Sequence, residues 1–290
     1  MTYVIAELGI NHNGNYNNAI NLIKVAKKAG ANAVKLQTFE PEEIMIKSLG
    51  MAPYQKNNDK KNIFEIISSC RLSHEDHFKI KKICKKLSID LLSSPFDLIS
   101  AKFLIEKLKI SKIKIPSGEI TNYPLIEFLA KKNIPIIMST GMANINEISD
   151  TLKIFKKNKH DNKKILLHCT TSYPTKIENV NLNAIKTLQK KFKLEVGYSD
   201  HTNGYMAAVG ALCLGAKVIE KHITLNNNLK GPDHKASLNP KDFINFCKKI
   251  RETEVMLGNG IKRINTDEAK NIRFARKSIV AKKDIAKGEK

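Results

Sequence analysis

Two histidines stand at the ends of neighbouring apolar segments late in the chain. His201 closes GYSDH, and His222 lies in VIEKHIT. Adjacent strands of a sheet lie ~4.8 Å apart, so imidazoles at neighbouring strand ends could ligate one ion. Two imidazoles with a carboxylate or waters suit an open octahedral site for Mn, Fe or Co better than structural zinc. Asp233, in GPDHKAS, is the best third partner; a purely structural histidine pair is the alternative.

Two lysines lie inside predicted strands, where a charge needs a partner. Period-two alternation places Lys35 and Gln37 on one face of their strand and points Lys114 inward from another. Lysine is almost never fully buried unless it is paired, so inward ammonium groups imply an anion between them. That anion could be Glu7 or Glu119, in a salt bridge. It could instead be a bound phosphate or carboxylate, surrounded by hydroxyl groups. The hydroxyls available are those of Ser94, Ser117 and Thr171.

Eight short apolar segments must position these residues, and each ends in polar or ionisable side chains. Amphipathic segments of helical spacing separate them, one closed by Gly30 and another opening at Asn239 and Pro240. Eight strand–helix units with apolar strands favour a closed parallel (β/α)8 barrel over an open doubly wound sheet. The predicted strands are residues 4–9, 33–39, 90–96, 112–118, 135–141, 164–171, 194–200 and 217–224.

Composition narrows the class of protein. A chain of 290 residues can hold one barrel of roughly 250 residues. The net charge of +22 comes mainly from lysines on outer helix faces, and only five of the fifty basic residues are Arg, so we expect no nucleic-acid partner. No apolar run approaches the ~18 residues of a membrane span, and no secretory leader is recognisable, so a cytoplasmic location is expected.

Two regions interrupt the strand–helix rhythm. Residues 40–72 form a long insertion after the second strand, and loops of that size on the catalytic face are usually lids or substrate walls. After about residue 258 the helical pattern ends, and residues 275–290 are predicted to form a new β segment. We therefore expect a barrel over residues 1–258 and the start of a small β domain over residues 259–290.

Nine ordered motifs resemble the N-acetylneuraminate (sialic acid) synthase family. They run from residue 4 to about residue 240, which is nearly the whole predicted barrel. The motifs are IAELGINHNGN, AVKLQTF, SSPFD, IKIPSGEITNYPLI, IMSTGMA, LLHCTTSYPT, GYSDHT, GAKVIEKHIT and GPDHKASL. The resemblance implies condensation of phosphoenolpyruvate with open-chain N-acetylmannosamine or a related acetamido sugar, giving a nine-carbon 2-keto acid and phosphate.

The resemblance also implies a role for each matched residue. His201 and His222 would bind Mn²⁺ or another divalent ion such as Co²⁺ or Mg²⁺, which polarises the sugar aldehyde. Glu119 matches the proposed acid/base, and Glu7 and Gln37 match positions that contact the sugar. Asp233 matches a residue near the metal-bound water. The matches to phosphoenolpyruvate-binding positions are Lys35, Lys114, Ser94, Ser117, Thr171 and Tyr173, and we add Ser199 from its shared strand face with the first histidine.

Beyond the barrel, the resemblance implies an antifreeze-like domain that caps the partner subunit in a homodimer. This chain would hold only its linker and first strand, and Phe274 matches an aromatic that reaches the sugar. Rival hypotheses remain open. One is legionaminate or pseudaminate synthesis by the same chemistry, and a 3-deoxy-octulosonate type of aldol enzyme is a weaker one. Another is a non-catalytic barrel that binds anionic polysaccharide or nucleic acid.

Overall fold

Eight parallel strands form the centre of the molecule. The computed structural model describes residues 1–46 and 63–290, and within them each predicted strand is found. The strands are β1 Tyr3–Gly9, β2 Ala33–Thr38, β3 Asp90–Pro95, β4 Ile113–Ile115, β5 Ile136–Ser139, β6 Lys164–His168, β7 Glu195–Asp200 and β8 Val218–His222.

The strands close into a barrel. Their hydrogen-bonded order is β3-β2-β1-β8-β7-β6-β5-β4, and the two strands at the ends of this order contact each other. Every described strand pair is parallel. The predicted (β/α)8 barrel is therefore confirmed, and the carboxyl ends of all the strands open on one face.

Helices follow the strands and cover the barrel. Their bounds are α1 Tyr16–Ala29, α2 Pro41–Ile44, α3 Ile63–Ser69, α4 His74–Leu87, α5 Leu98–Lys102, α6 Tyr123–Lys132, α7 Ile145–Lys157, α8 Ala184–Phe192, α9 Met206–Cys213, α10 Pro240–Leu257 and α11 Thr266–Ala275. A π-helical turn, Phe103–Lys107, continues α5, and short 3-10 turns cover Ser117–Glu119, Ile177–Asn179 and His234–Ala236.

The predicted helix boundaries have the expected local causes. Gly30 ends α1 in the left-handed region with φ 87°, where its amide bonds the carbonyls of the last turn. The Asn239 side chain accepts the amide of Asp242 at 3.0 Å and so caps α10, whose first residue is Pro240. No helix among the described residues is long and apolar enough to cross a membrane.

Two apolar layers leave the upper barrel free for polar groups. Inward-facing apolar residues fill the lower lumen: Ile5, Ala33, Leu92, Ile137, Ile165, Leu167 and Val218. The outward faces of the strands pack with the helices in a larger core. Because side chains alternate along each strand, the residues two positions beyond the lumen layer must also point inward. Those positions include Glu7, Lys35 and Glu220.

The two irregular regions differ in how far the structure describes them. The predicted insertion 40–72 contains α2 and α3, and its residues 47–62 lie outside the described part of the chain. The chain divides into two compact units, Met1–Met256 and Leu257–Lys290, each defined by the contacts within it. The second unit contains α11, inside the range predicted as a linker, and residues 276–290 of this unit contain no strand. The antifreeze-like domain therefore stays a prediction.

Candidate active site

The two predicted histidines lie side by side at the top of the lumen. The centroids of the His201 and His222 rings are 5.5 Å apart, and the Tyr173 ring lies 4.2 Å from the first and 5.7 Å from the second. Both imidazoles are buried. Burial lowers the pKa of His201 to about 4 and holds that of His222 well below its ordinary value. Both rings are therefore neutral near pH 7, as metal ligation requires.

The hydrogen bonds of these rings leave nitrogen lone pairs available. The Nδ1 atom of His201 lies 2.8 Å from the Thr170 carbonyl, which fixes the proton on that nitrogen and leaves Nε2 near Ser199. The buried Nδ1 of His222 has no hydrogen-bond partner among the described residues. This pair fits a divalent cation. No group of three His, Cys, Asp or Glu side chains among residues 1–46 and 63–290 forms a metal cluster, so Asp233 does not complete a ligand triad there.

Two buried lysines share carboxylates in the layer below. Lys35 Nζ lies 2.6 Å from Glu7 Oε2 and 3.7 Å from Glu220 Oε1, and Lys114 Nζ lies 3.6 Å from the same Glu220 oxygen. The predicted salt bridge to Glu7 is present. The second carboxylate is that of Glu220. Glu220 lies two residues before His222 on β8, and the sequence analysis did not assign it to the site.

Opposing electrostatic effects set the charge state of this layer. Burial raises the pKa of a carboxyl, but Lys114 and Lys35 outweigh burial and lower the pKa of Glu220. For Glu7, burial prevails over Lys35, and the pKa rises to about 7. Burial also lowers the pKa of Lys114. The site thus contains one firmly ionised carboxylate and one carboxyl that can carry a proton near neutrality.

Hydroxyl groups surround the lysines, as predicted. Ser94 accepts a hydrogen bond from Lys35 at 3.1 Å, and Ser139, which sequence reasoning missed, accepts one from Lys114 at 2.6 Å. The Ser117 hydroxyl lies 3.2 Å from the Cys169 sulfur. The buried Thr171 Oγ1 has no hydrogen-bond partner among the described residues. Ammonium groups and hydroxyls of this kind could bind the phosphate and carboxylate of a small anion.

One cavity of about 280 Å³ joins the imidazoles to the lysines. Twelve of the predicted site residues line it: Glu7, Lys35, Gln37, Ser94, Lys114, Ser117, Thr171, Tyr173, Ser199, His201, His222 and Asp233. Residues that sequence reasoning did not assign also line it, among them Glu220, Ser139 and Cys169. Burial raises the pKa of Asp233, inside this cavity, to about 6.

Two predicted residues are placed differently. Glu119 is absent from the described cavity lining, and its Oε2 accepts a hydrogen bond from Asn122 at 2.6 Å. Burial raises the pKa of Glu119 above its ordinary value. Phe274 lies on α11 of the C-terminal unit and is exposed within that unit. The acid/base role of Glu119 and the sugar contact of Phe274 stay predictions.

Apolar side chains form the outer wall of the cavity. They come from the ends of β1, β2 and β3 and from α2 and α3: Ile10, Phe39, Phe96, Ile44 and Ile67. An apolar wall above a charged floor suits a ligand with an anionic end and an apolar substituent at its other end. The floor can hold an anion, and the imidazole pair can hold a cation beside it.

Most of the chain matches a family model and known proteins. The model of the NeuB family matches residues 22–262. The chain is 46% identical over 292 residues to N,N'-diacetyllegionaminic acid synthase of Campylobacter jejuni, covering 99% of this chain and 87% of the relative. It is 42% identical over 291 residues to the Legionella pneumophila protein of the same name, covering 99% and 82%.

A solved structure has the same architecture. The N-acetylneuraminic acid (sialic acid) synthetase from Leptospira borgpetersenii, crystallised with citrate, superposes with a TM-score of 0.81 at 31% identity. The match covers 94% of this chain and 90% of that protein. The similarity therefore extends over the barrel and is not confined to short motifs.

Proposed function

The chain belongs to the NeuB family, and we propose that it condenses phosphoenolpyruvate with the open-chain aldehyde of an acetamido sugar. The products are phosphate and a nine-carbon 2-keto acid, so the protein is a carbon–carbon bond-forming transferase. The observation that carries this proposal is the common cavity, where two buried lysines that could bind an anion adjoin a neutral imidazole pair. Two named relatives of the chain are N,N'-diacetyllegionaminic acid synthases.

The floor of the cavity binds phosphoenolpyruvate in this proposal. Lys35 and Lys114 hold its phosphate and carboxylate, with hydroxyls of Ser94, Ser117 and Thr171 completing the donors. Lys35, Lys114, Ser94 and Ser117 are held by hydrogen bonds of their own, so their reorganisation during the change of charge is small. Carbon 3 of the enol attacks the aldehyde, water adds at carbon 2, and the intermediate loses phosphate by carbon–oxygen cleavage.

The imidazole pair lies where the aldehyde of the sugar would bind in this proposal. His201 and His222 would hold Mn²⁺, or Co²⁺ or Mg²⁺, and the ion when bound supplies Lewis-acid polarisation of the carbonyl oxygen. Thr170 fixes the tautomer of the first imidazole. Glu7, which lines the cavity and has a pKa near 7, can exchange a proton there, while Gln37 and Asp233 orient the sugar and water. Glu119 stays a second candidate for the acid/base.

The identity of the acceptor sugar is a separate and more specific proposal. The two relatives described above favour the diacetamido sugar that leads to N,N'-diacetyllegionaminic acid. The apolar outer wall supports an acceptor with apolar substituents. N-acetylmannosamine and the sugar leading to pseudaminate are the competing acceptors.

A homodimer, a cytoplasmic location and the absence of a nucleic-acid partner also stay predictions.

Phosphate release tests the reaction. The protein is incubated with phosphoenolpyruvate, Mn²⁺ and each of the three acetamido sugars, and both phosphate and product mass are measured. We expect release with at least one sugar, and the product mass identifies the acceptor. His222→Ala should lower turnover at least about a hundredfold, since changes to partners of metal ligands alone typically cost 10- to 100-fold.

A matched control separates chemistry from folding. His74 lies outside the described cavity lining, and its side chain is 42% exposed. His74→Ala should therefore retain turnover. Absence of phosphate release from folded wild-type protein with every sugar would overturn the proposed reaction, and wild-type turnover by His222→Ala would remove that residue from it.

A further inference from the structure

A second ion pair lies directly behind the two histidines, outside the cavity. Asp200 precedes His201 and Lys221 precedes His222, and the two charged residues are register partners of neighbouring parallel strands. Lys221 Nζ lies 2.9 Å from Asp200 Oδ2. Both residues are 1% exposed. Because side chains alternate along a strand, this pair faces the helices while the imidazoles face the lumen.

The pair is part of a closed network around the end of β7. The other oxygen of Asp200, Oδ1, accepts the Thr202 amide at 2.9 Å and the Thr202 hydroxyl at 2.7 Å. Lys221 also donates to the Thr202 carbonyl. The chain segment from Asp200 to Thr202 is therefore fixed on both sides of His201 by groups on or bonded to β8. The backbone position of one imidazole is thereby fixed relative to the strand that carries the other.

Stability is a weak explanation for such a pair. Removing two charges from water is costly, and apolar replacements of a buried ion pair are often neutral or stabilising. A directional ion pair does, however, restrict the relative position of the two strand ends more than an apolar contact does. Metal ligation depends on such restriction, since ligand nitrogens must be held near the bonding geometry of the ion.

We propose that Asp200 and Lys221 are positioning residues that hold the His201 and His222 imidazoles at the separation a divalent cation needs. The inference rests on the proposed metal site and extends it to residues that do not line the cavity. Loss of the pair should therefore weaken cation binding even where the protein stays folded, because the two strand ends can then shift against each other.

Binding of Mn²⁺ alone tests this role without turnover. Free Mn²⁺ is measured by its electron paramagnetic resonance signal during titration of wild type, Lys221→Met and Asp200→Asn, and melting temperatures are recorded in parallel. We expect Mn²⁺ affinity to fall about 10-fold or more in each variant, comparable to the loss of a partner of a metal ligand. The double variant Asp200→Asn/Lys221→Met leaves no unpaired buried charge, so it keeps the test valid if a single variant fails to fold.

Lys112→Met is the matched control, because it breaks the 2.7 Å pair with Asp90 at the amino ends of β3 and β4. This variant should lower the melting temperature without changing Mn²⁺ affinity. Unchanged Mn²⁺ affinity in folded Lys221→Met and in the double variant would overturn the positioning role. Absence of Mn²⁺ binding by wild type would overturn the metal site itself and this inference with it, whereas binding abolished only by His222→Ala would overturn the positioning role alone.

Discussion

Gly141 brings the backbone close to two of the proposed phosphoenolpyruvate donors. A Cβ at this position would lie 2.4 Å from Thr171 Oγ1, 2.8 Å from Ser117 Oγ and 3.0 Å from Cys169 Sγ. Its amide also donates to Ser117 at 3.0 Å. Gly141→Ala must therefore displace both hydroxyls. Overpacking of this kind costs ~1–3 kcal/mol, and we expect the KM for phosphoenolpyruvate to rise about tenfold in steady-state kinetics.

Gly118 provides the comparison for this substitution. It lines the same cavity, but a Cβ there would meet no atom within 4 Å. Gly118→Ala adds the same methyl group without displacing a donor, so its KM should change much less. Equal KM values for wild type and Gly141→Ala would show that Ser117 and Thr171 do not bind phosphoenolpyruvate.

The site residues show which ion-pair partners can be predicted from the sequence. Buried lysines demand anions, and this requirement alone predicted a partner for Lys35 and Lys114. The second partner, Glu220, was missed because it reaches Lys35 and Lys114 across the lumen, a proximity created only by closure of the barrel. The available signal was its position two residues before His222. Glu119 follows its strand on a 3-10 turn, where strand alternation no longer predicts side-chain direction.

Helix α7 begins beside the catalytic face with a complete capping box. The Asn144 side chain accepts the Asn146 and Glu147 amides at 2.8 and 3.1 Å, and Glu147 accepts the Asn144 amide in return. Loss of such a cap costs ~1 kcal/mol. Asn144→Ala should therefore lower the free energy of unfolding by about that amount in urea titrations.

Asn183 is the matched control because it precedes α8 without a capping hydrogen bond from its side chain. Asn183→Ala should change the free energy of unfolding by less than Asn144→Ala does. Equal losses for the two variants would mean that the capping box does not stabilise α7 measurably.

Strands were predictable and the last helix was not, for different physical reasons. Apolar runs that end in polar residues located every strand to within a few residues, although β4 ends early at Ile115 because Pro116 has no amide to extend the ladder. Helix α11 was missed because its composition is polar and none of its residues is buried. Its capping box, Asn265 with Glu268, was the available signal.

Across the whole molecule, the barrel followed from counting strand–helix units, but the C-terminal unit could not be assigned in this way. An isolated β segment has no ladder partner, so sequence pattern alone cannot decide whether residues 276–290 form a strand. The structure describes Leu257–Lys290 as a separate unit with helix α11. Each strand–helix unit of the barrel can be recognised from its own sequence. The conformation of residues 276–290 depends instead on whether a partner strand is present.

Buried neutral imidazoles make the whole fold sensitive to acid. Seven histidines have a lowered pKa, in every case chiefly through burial: His12, His77, His160, His168, His201, His222 and His234. A group with a depressed folded pKa contributes stability above its unfolded pKa, about 6.5, and loses it as the pH falls toward the folded value. Glu7, Glu119 and Asp233, whose pKa values are raised, act in the opposite direction but are fewer.

His12 allows this acid sensitivity to be measured away from the proposed metal ligands. It is 1% exposed, and burial lowers its pKa to about 4. Between pH 7 and pH 5 its protonation in the unfolded chain should remove about 2 kcal/mol of stability. The free energy of unfolding of His12→Gln, measured in urea with a chelator present, should therefore fall less steeply over this interval than that of wild type. Parallel curves for the two proteins would show that His12 takes up its proton equally in both states, and the acid sensitivity would then have to arise from other groups.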